Sequence, residues 1–278
     1  WKPIIDNFIA AVNDSHVRFR IHPQMTVVTG YSGGARACGK YLTIHKGVNA
    51  AIYCGGVPEE TGKRKILEAC TMGVDDFNFG EMRSLIKSVP AANRMVQIQD
   101  TGHNWGQSRT FQRALGWIQK RFYTSFTLDP KTAEQIFKMY QKRYAEAKSP
   151  YTKFCVRDFQ RRFLSRQKLN KTPEQKARYK TVEEEYNTLK KNDEVNLELR
   201  AAAALEAMRP KVFSLLATCP TKAARAKSKH LKAPSPAAKK NALSQIKTAY
   251  DAFEKKYSGT KAGGQALADL KMILKSQK

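Results

Sequence analysis

A short β-branched run that breaks into G-x-S-x-G most narrows what this chain can fold into: Thr26-Val27-Val28-Thr29-Gly30-Tyr31-Ser32-Gly33-Gly34-Ala35-Arg36-Ala37. A serine can sit at the tip of a tight strand-to-helix turn only where the residues two before and two after it lack bulk, because two backbone segments approach closely there. Gly30 and Gly34 meet that need, and Gly33 adds slack. The motif carries weight only with a strand before it and a small-residue helix start after it. Both are present, and together they outline a nucleophile elbow.

The flanking pattern extends this into an α/β reading. Ile4, Ile5, Phe8, Ile9 and Val12 have the spacing of an amphipathic helix, with Pro3 in its first turn. A polar loop around His22-Pro23-Gln24 leads into the elbow strand, and a helix is expected from about Gly33 to Thr43. Val48 to Cys54 is a nearly continuous apolar run closed by Gly55-Gly56, the signature of a strand buried on both faces. Ile66 to Gly73 reads as a third strand, Phe79 to Ser88 as a short helix, and Arg94 to Gln99 as a fourth strand. A helix bearing Phe111, Leu115, Trp117, Ile118 and Phe122 on its apolar side follows and ends near Phe126. Helices alternating with strands in this way predict a parallel sheet with right-handed crossovers.

Beyond Leu128 the grammar changes. Asp129-Pro130 is a helix start, glycine is nearly absent until Gly259, and Ala, Lys, Glu, Gln and Leu dominate. Helices are expected at about 130–148, 150–168, 173–191, 194–217, 236–257 and 260–276, with 221–236 a solvated linker or irregular loop. The last two, around Ser258-Gly259-Thr260, have the look of an antiparallel hairpin like one tetratricopeptide unit. Two domains follow, 1–126 and 127–278.

Charge divides along the same line. The chain carries a formal charge of +26, with 16 basic against 9 acidic side chains in residues 1–124 and 34 against 15 in the remainder. Such an excess attracts nucleic acid, anionic surfaces or acidic polymers. Arg18, Arg20, Lys63, Arg64 and Lys65 read as solvated charge. The aromatics within the basic helices, Tyr140 to Tyr144 and Phe154 to Phe163, are spaced to enter a bundle core, and no recognition helix, zinc finger or RNP pattern accompanies them. No specific nucleic-acid partner is therefore expected. The five cysteines, Cys38, Cys54, Cys70, Cys155 and Cys219, lack ligand spacing and read as buried free thiols, with no metal site. No run is long and apolar enough for a membrane span.

A serine attacks at neutral pH only with a base in hydrogen-bond reach and a group that orients the base. Of the five histidines, His16 and His22 precede the elbow, His45 lies just past its helix and His230 falls in the lysine-rich linker. Only His103 directly follows a downstream strand. The acid is expected in the loop after the third strand, where Asp75 and Asp76 both stand.

Three segments in order, Gly30-Tyr31-Ser32-Gly33-Gly34-Ala35-Arg36, then Gly73-Val74-Asp75-Asp76-Phe77-Asn78-Phe79-Gly80-Glu81-Met82, then Gly102-His103-Asn104-Trp105, resemble the carboxyl-terminal half of an α/β-hydrolase. The nearest likeness is to dienelactone hydrolase and polyhydroxybutyrate depolymerase-like esterases, over about residues 1–124. The resemblance implies Ser32 as nucleophile, Asp76 as acid in preference to Asp75, His103 as base and the Gly33 amide as first oxyanion donor. Tyr31 and Trp105 become candidate substrate contacts, and Phe77 a packing residue. It implies a small-molecule carboxylic ester as substrate, no cofactor and no metal, and it leans toward a secreted or periplasmic protein.

One departure carries its own expectation. In such enzymes the first strands, and the loop with the second oxyanion amide, lie far upstream of the elbow, whereas here only 25 residues precede Thr26. A normally central strand would then be a bare edge. The chain is accordingly expected to be a fragment, or to have its sheet completed by a second chain or a missing N-terminal segment. The rival expectation is a non-catalytic hydrolase-like scaffold whose basic helical region binds a protein partner or an anionic surface.

Overall fold

Four runs of β-branched and apolar residues form a four-stranded sheet: β1 (Thr26–Tyr31), β2 (Val48–Cys54), β3 (Leu67–Gly73) and β4 (Arg94–Gln99). The strands lie in chain order and all are parallel. In this computed structural model residues 2–19, 21–22, 24–63 and 65–277 are described. Pro23, and the Arg20 and Arg64 read above as solvated charge, lie outside them.

Among the described residues the chain forms two compact units. One comprises the residues up to Leu115, with Ala204–Ser258 and those from Gly263 onward; the other comprises Gly116–Ala203 and Gly259–Ala262. The units therefore do not follow the linear boundary expected at 126/127, because helices from the end of the chain bury their apolar faces with the sheet-bearing part.

In the first unit, α1 (Lys2–Arg18) packs on α2 (Gly33–Ile44), which connects β1 to β2. β2 is buried along almost its whole length, with Ile52, Tyr53 and Cys54 at 0–1% exposure, as its unbroken apolar run requires. Among the described residues β2 passes to β3 without a helix. That connection lies tight against α2: a Cβ on Gly39 would stand 2.2 Å from the Pro58 side chain. Its far end is pinned by the buried Glu68 carboxylate, which accepts from the Gly62 N–H at 2.9 Å and the Tyr53 hydroxyl at 3.0 Å. A short 3-10 turn and α3 (Met82–Ser88) then lead to β4, and α4 (Ser108–Ser125) follows.

The same unit takes the later part of α8 (Asp193–Ala217), α9 (Lys222–Lys227), α10 (Pro236–Tyr257) and most of α11 (Lys261–Ser276). The short α9 corrects the reading of 221–236 as loop throughout; the Thr221 side chain caps it by accepting from the Ala224 N–H at 3.1 Å. α10 and α11 run antiparallel, with Gly259 at φ +79° in the turn and the Lys239 ammonium donating to the Gln277 carbonyl at 2.8 Å. Ile246 and Tyr250 of α10, Ala266 and Ile273 of α11, and Val212 and Phe213 of α8 are buried. Phe213 meets Phe79 edge to face at 6.1 Å, Gln277 donates to the Cys219 carbonyl at 3.0 Å, and Lys275 reaches Asp100 at 2.6 Å.

The second unit is helical: α5 (Pro130–Glu146), α6 (Pro150–Arg166) and α7 (Pro173–Lys190), with parts of α4 and α8. Each of the three starts with proline after a capping side chain, Asp129, Ser149 or Thr172, that accepts a backbone N–H three residues on. Their core is Phe137, Tyr140, Phe159, Phe163, Leu164 and Val182, so the aromatics of 140–144 and 154–163 turn inward as their spacing predicts. Buried Gln167 fastens the α4–α5 turn, accepting from Leu128 N–H at 2.8 Å and donating to the carbonyls of Tyr123 and Phe126 at 2.9 and 2.7 Å.

One buried ion pair ties α8 to α11. Asp269, 1% exposed, accepts from the Arg209 guanidinium at 3.0 and 3.3 Å and from Gln265 at 2.7 Å. Removing one partner strands the other charge away from water. Asp269→Ala is expected to cost ~3–5 kcal/mol in denaturant unfolding, and the double change Arg209→Met with Asp269→Leu to recover most of that.

Candidate active site

The parallel sheet sends β1, β3 and β4 into loops at one edge, and three side chains meet there. The Ser32 N–H donates to the Cys54 carbonyl at 2.8 Å, carrying the β1–β2 pairing one residue past the strand. The chain then reverses through Ser32 at φ 51°, ψ −115°, a region that a side-chain-bearing residue enters only under strain, and starts α2. The reversal is tight: a Cβ on Gly30 would stand 2.2 Å from the Gly34 carbonyl oxygen. Glycine at this position is a steric requirement, as the G-x-S-x-G spacing predicts.

The acid turn and the base loop cross at Gly73, where a Cβ would meet the Thr101 and Gly102 carbonyl oxygens at 2.2 and 2.3 Å. Val74 N–H to Gln99 and Asp75 N–H to Thr101, at 3.0 and 3.1 Å, extend the β3–β4 pairing beyond the strand ends. Asp76 thereby comes beneath His103. Its two carboxylate oxygens lie 3.0 and 3.1 Å from His103 Nδ1, and His103 Nε2 lies 2.8 Å from Ser32 Oγ. Nδ1 faces a carboxylate that only accepts, so it carries the ring proton and Nε2 is left to accept from the serine hydroxyl. Asp75, the alternative acid, makes no hydrogen bond to His103, and its Oδ1 is buried without a hydrogen-bond partner.

The carboxylate is held in place and kept dry. Its side chain is fully buried, and it accepts the Asn78 N–H at 2.8 Å while Asn78 donates from its own side chain to the Gly55 carbonyl at 2.8 Å. Burial pushes the Asp76 carboxyl above its usual range, and the Asn78 amide and His103 pull the other way. The imidazole packs against the Tyr31 ring at 4.8 Å and the Phe77 ring at 4.2 Å. The Tyr31 hydroxyl donates to the His103 carbonyl at 2.8 Å, and burial together with the nearby Asp76 carboxylate raises the pKa of that phenol. Buried Gln99 braces the same loop, donating to the Trp105 carbonyl at 3.2 Å and accepting from Gln107 N–H at 2.8 Å.

Gly33 is the first residue of α2, so its N–H lies among the helix's unpaired donors, and among the described residues no acceptor takes it. Trp105, 54% exposed, stacks on Tyr31 at 5.4 Å and offers a free aromatic face beside the serine–histidine pair. Behind the elbow, Arg36 and the Val57 N–H both meet the Glu81 carboxylate, at 2.5 and 2.8 Å. The tyrosine clamp on the His103 carbonyl and the Glu81 bridge are long-range pairings, and neither they nor the local Gln99 brace was signalled by sequence spacing. Only Asn78 carried a hint, standing within the segment Asp76-Phe77-Asn78.

Other sequence candidates lie elsewhere. His45 ends α2 and stacks on Tyr41 at 4.4 Å. Among the described residues no group of three or more His, Cys, Asp or Glu is placed to hold a metal ion, and no helix is long and apolar enough to cross a membrane. Comparison with protein-family models, with curated proteins and with solved structures gives no match for this chain.

Two outcomes test the geometry. Gly30→Ala drives a methyl group into the Gly34 carbonyl and is expected to destabilise by ~1–3 kcal/mol or more. Asp76→Asn removes a carboxyl whose folded-state pKa lies above the unfolded one. Such a group destabilises above its folded pKa, and the penalty is relieved as pH falls through it. The Asn variant is therefore expected to melt no lower than the parent at neutral pH, with any gain shrinking toward about pH 4. Thermal scans across pH check the sign.

Proposed function

We propose that this chain carries the nucleophile, base and acid of a serine esterase of the α/β-hydrolase type, resembling the dienelactone hydrolase and polyhydroxybutyrate depolymerase-like enzymes. The observation that supports the reading is the unbroken hydrogen-bonded line Ser32–His103–Asp76 at 2.8 and 3.0 Å, running from a strained serine to a buried carboxylate. Either feature alone is common in turns and cores. Their convergence at the edge of one parallel sheet is what acyl transfer needs.

In this reading Ser32 Oγ attacks the carbonyl carbon of a carboxylic ester as His103 Nε2 takes its proton. Asp76, ionised and locked to Nδ1, stabilises the imidazolium that forms. The negative charge that develops on the carbonyl oxygen meets the Gly33 N–H at the start of α2, where the helix end favours an anion. Collapse expels the alcohol, which leaves with the proton from His103. Water, activated by the same nitrogen, then releases the acid from Ser32. The exposed face of Trp105 and the neighbouring Tyr31 ring serve as the platform for the substrate's apolar part.

The reading includes a completed sheet. Among the described residues β1 pairs only with β2, and Thr29 at its centre is exposed. A further strand, from upstream of the elbow or from a second chain, is proposed to pair there and to bring the second oxyanion amide, a group worth ~10²–10³-fold in rate. The rival reading, a non-catalytic scaffold whose basic helical region binds a protein partner or an anionic surface, draws on the charge of residues 125–278 instead.

A fluorophosphonate probe separates the two, because only an activated serine reacts. The protein is expected to be labelled, Ser32→Ala not at all, and His103→Ala slower by ~10³-fold or more. Equal labelling of the protein and Ser32→Ala refutes the assignment.

A further inference from the structure

The second unit contains a cavity of about 260 Å³ between α4 and α6, lined also by Leu199 of α8. It is distinct from the serine site and owes nothing to the esterase reading. Its apolar walls are Trp117, Phe154 and Leu199, and its cationic side is Lys120, Arg121 and Arg162. Phe154 is buried and Leu199 is 38% exposed, so the cavity has an aromatic floor and a reachable mouth.

The charges there do not balance. The one carboxylate in the lining is Asp158, which pairs with Arg162 and lies 3.8 Å from Arg161. Among the described residues no carboxylate pairs with Arg121 or Lys120. Arg121 is half-buried with its guanidinium 5.7 Å from the centre of the Trp117 ring. Burial and the neighbouring Arg162 push its pKa down, while Asp158, already paired with Arg162, pulls it the other way. A planar guanidinium beside an aromatic wall matches a carboxylate or phosphate attached to a flat ring. The volume holds one or two fused rings and little more. Cys155 also lines the cavity, but burial raises its thiol pKa, so it is a neutral wall and not a nucleophile.

We propose that this cavity binds a small aromatic anion, with one or two fused rings held between Trp117 and Phe154 and a single carboxylate or phosphate held by Arg121 with Lys120 and Arg162. The ring supplies apolar burial and the anion supplies the charge that the lining lacks.

Titration calorimetry of the full chain with 2-naphthoate tests this, with 2-naphthyl phosphate, neutral 2-naphthamide and inorganic phosphate as further arms. Both naphthyl anions are expected to bind; the amide and inorganic phosphate are each expected to bind at least about 10-fold more weakly, because each lacks one half of the recognised group. Arg121→Met should weaken naphthoate at least about 10-fold. Lys138→Met, which removes one charge from an exposed position on α5, should leave it unchanged. Leu199→Trp, which fills the mouth from an already exposed position, should abolish binding and decides the matter should Arg121→Met fail to fold. The proposal is overturned if 2-naphthoate does not bind, if the amide binds as tightly, if Lys138→Met weakens binding as much as Arg121→Met, or if Leu199→Trp leaves it intact. It is equally overturned if a single-stranded oligonucleotide binds in proportion to its length and displaces naphthoate, which would make the cavity part of a nucleic-acid surface.

Discussion

Parallel pairing puts the carboxyl end of every strand at one rim, and the meeting of Ser32, Asp76 and His103 depends on that constraint. Antiparallel strands would send alternate loops to opposite edges, and the residues following β1, β3 and β4 could not share a site. Because all four strands run the same way, Ser32, Asp76 and His103 need only short, stiff loops to meet. The loops are stiff because they prolong the ladder: Ser32 onto Cys54, Val74 onto Gln99 and Asp75 onto Thr101. Two glycines let the backbones pass at the points of closest approach, Gly30 beneath the elbow and Gly73 beneath the base loop.

The site is assembled against local cost. Ser32 is held at positive φ and Asp76 is buried as a carboxylate, and both are unfavourable taken singly. What offsets them is the surrounding bonding: Asn78 and His103 on the carboxylate, and Tyr31, Phe77 and Gln99 on the histidine and its loop. Among the described residues the other buried acids are treated alike, with Glu68 met by Gly62 and Tyr53, Glu198 by the Lys261 N–H, and Asp269 by Arg209 and Gln265. The difference lies in the partner. Asp76 meets the imidazole of His103, whose other nitrogen faces Ser32 Oγ.

Most of the element list was legible because local rules decide it. β4 runs Arg94–Gln99 as its alternation indicated, and α5, α6 and α7 begin at Asp-Pro, Ser-Pro and Thr-Pro steps that cap and start a helix by themselves. α9 escaped notice because its six residues lie in a lysine- and proline-rich stretch and depend on the Thr221 cap and the burial of Ala224. The division into units was not legible either. Composition changes near Leu128, yet Phe213 and Lys275 come back to the sheet-bearing unit through contacts with Phe79 and Asp100. Nothing in local spacing announces a partner more than a hundred residues away.

The sequence by itself determined the strands, the helices, the steric need for glycine around Ser32 and the short list of groups able to act as base and acid, because each of these follows from a residue and its near neighbours. Only the tertiary structure set the distance from Asp76 to His103, the Tyr31 clamp on the histidine loop, and the three cations around Asp158 in the second unit's cavity. These are facts about what stands across a gap from what. They are settled by strand register and helix packing, which act between segments that the order of residues keeps apart.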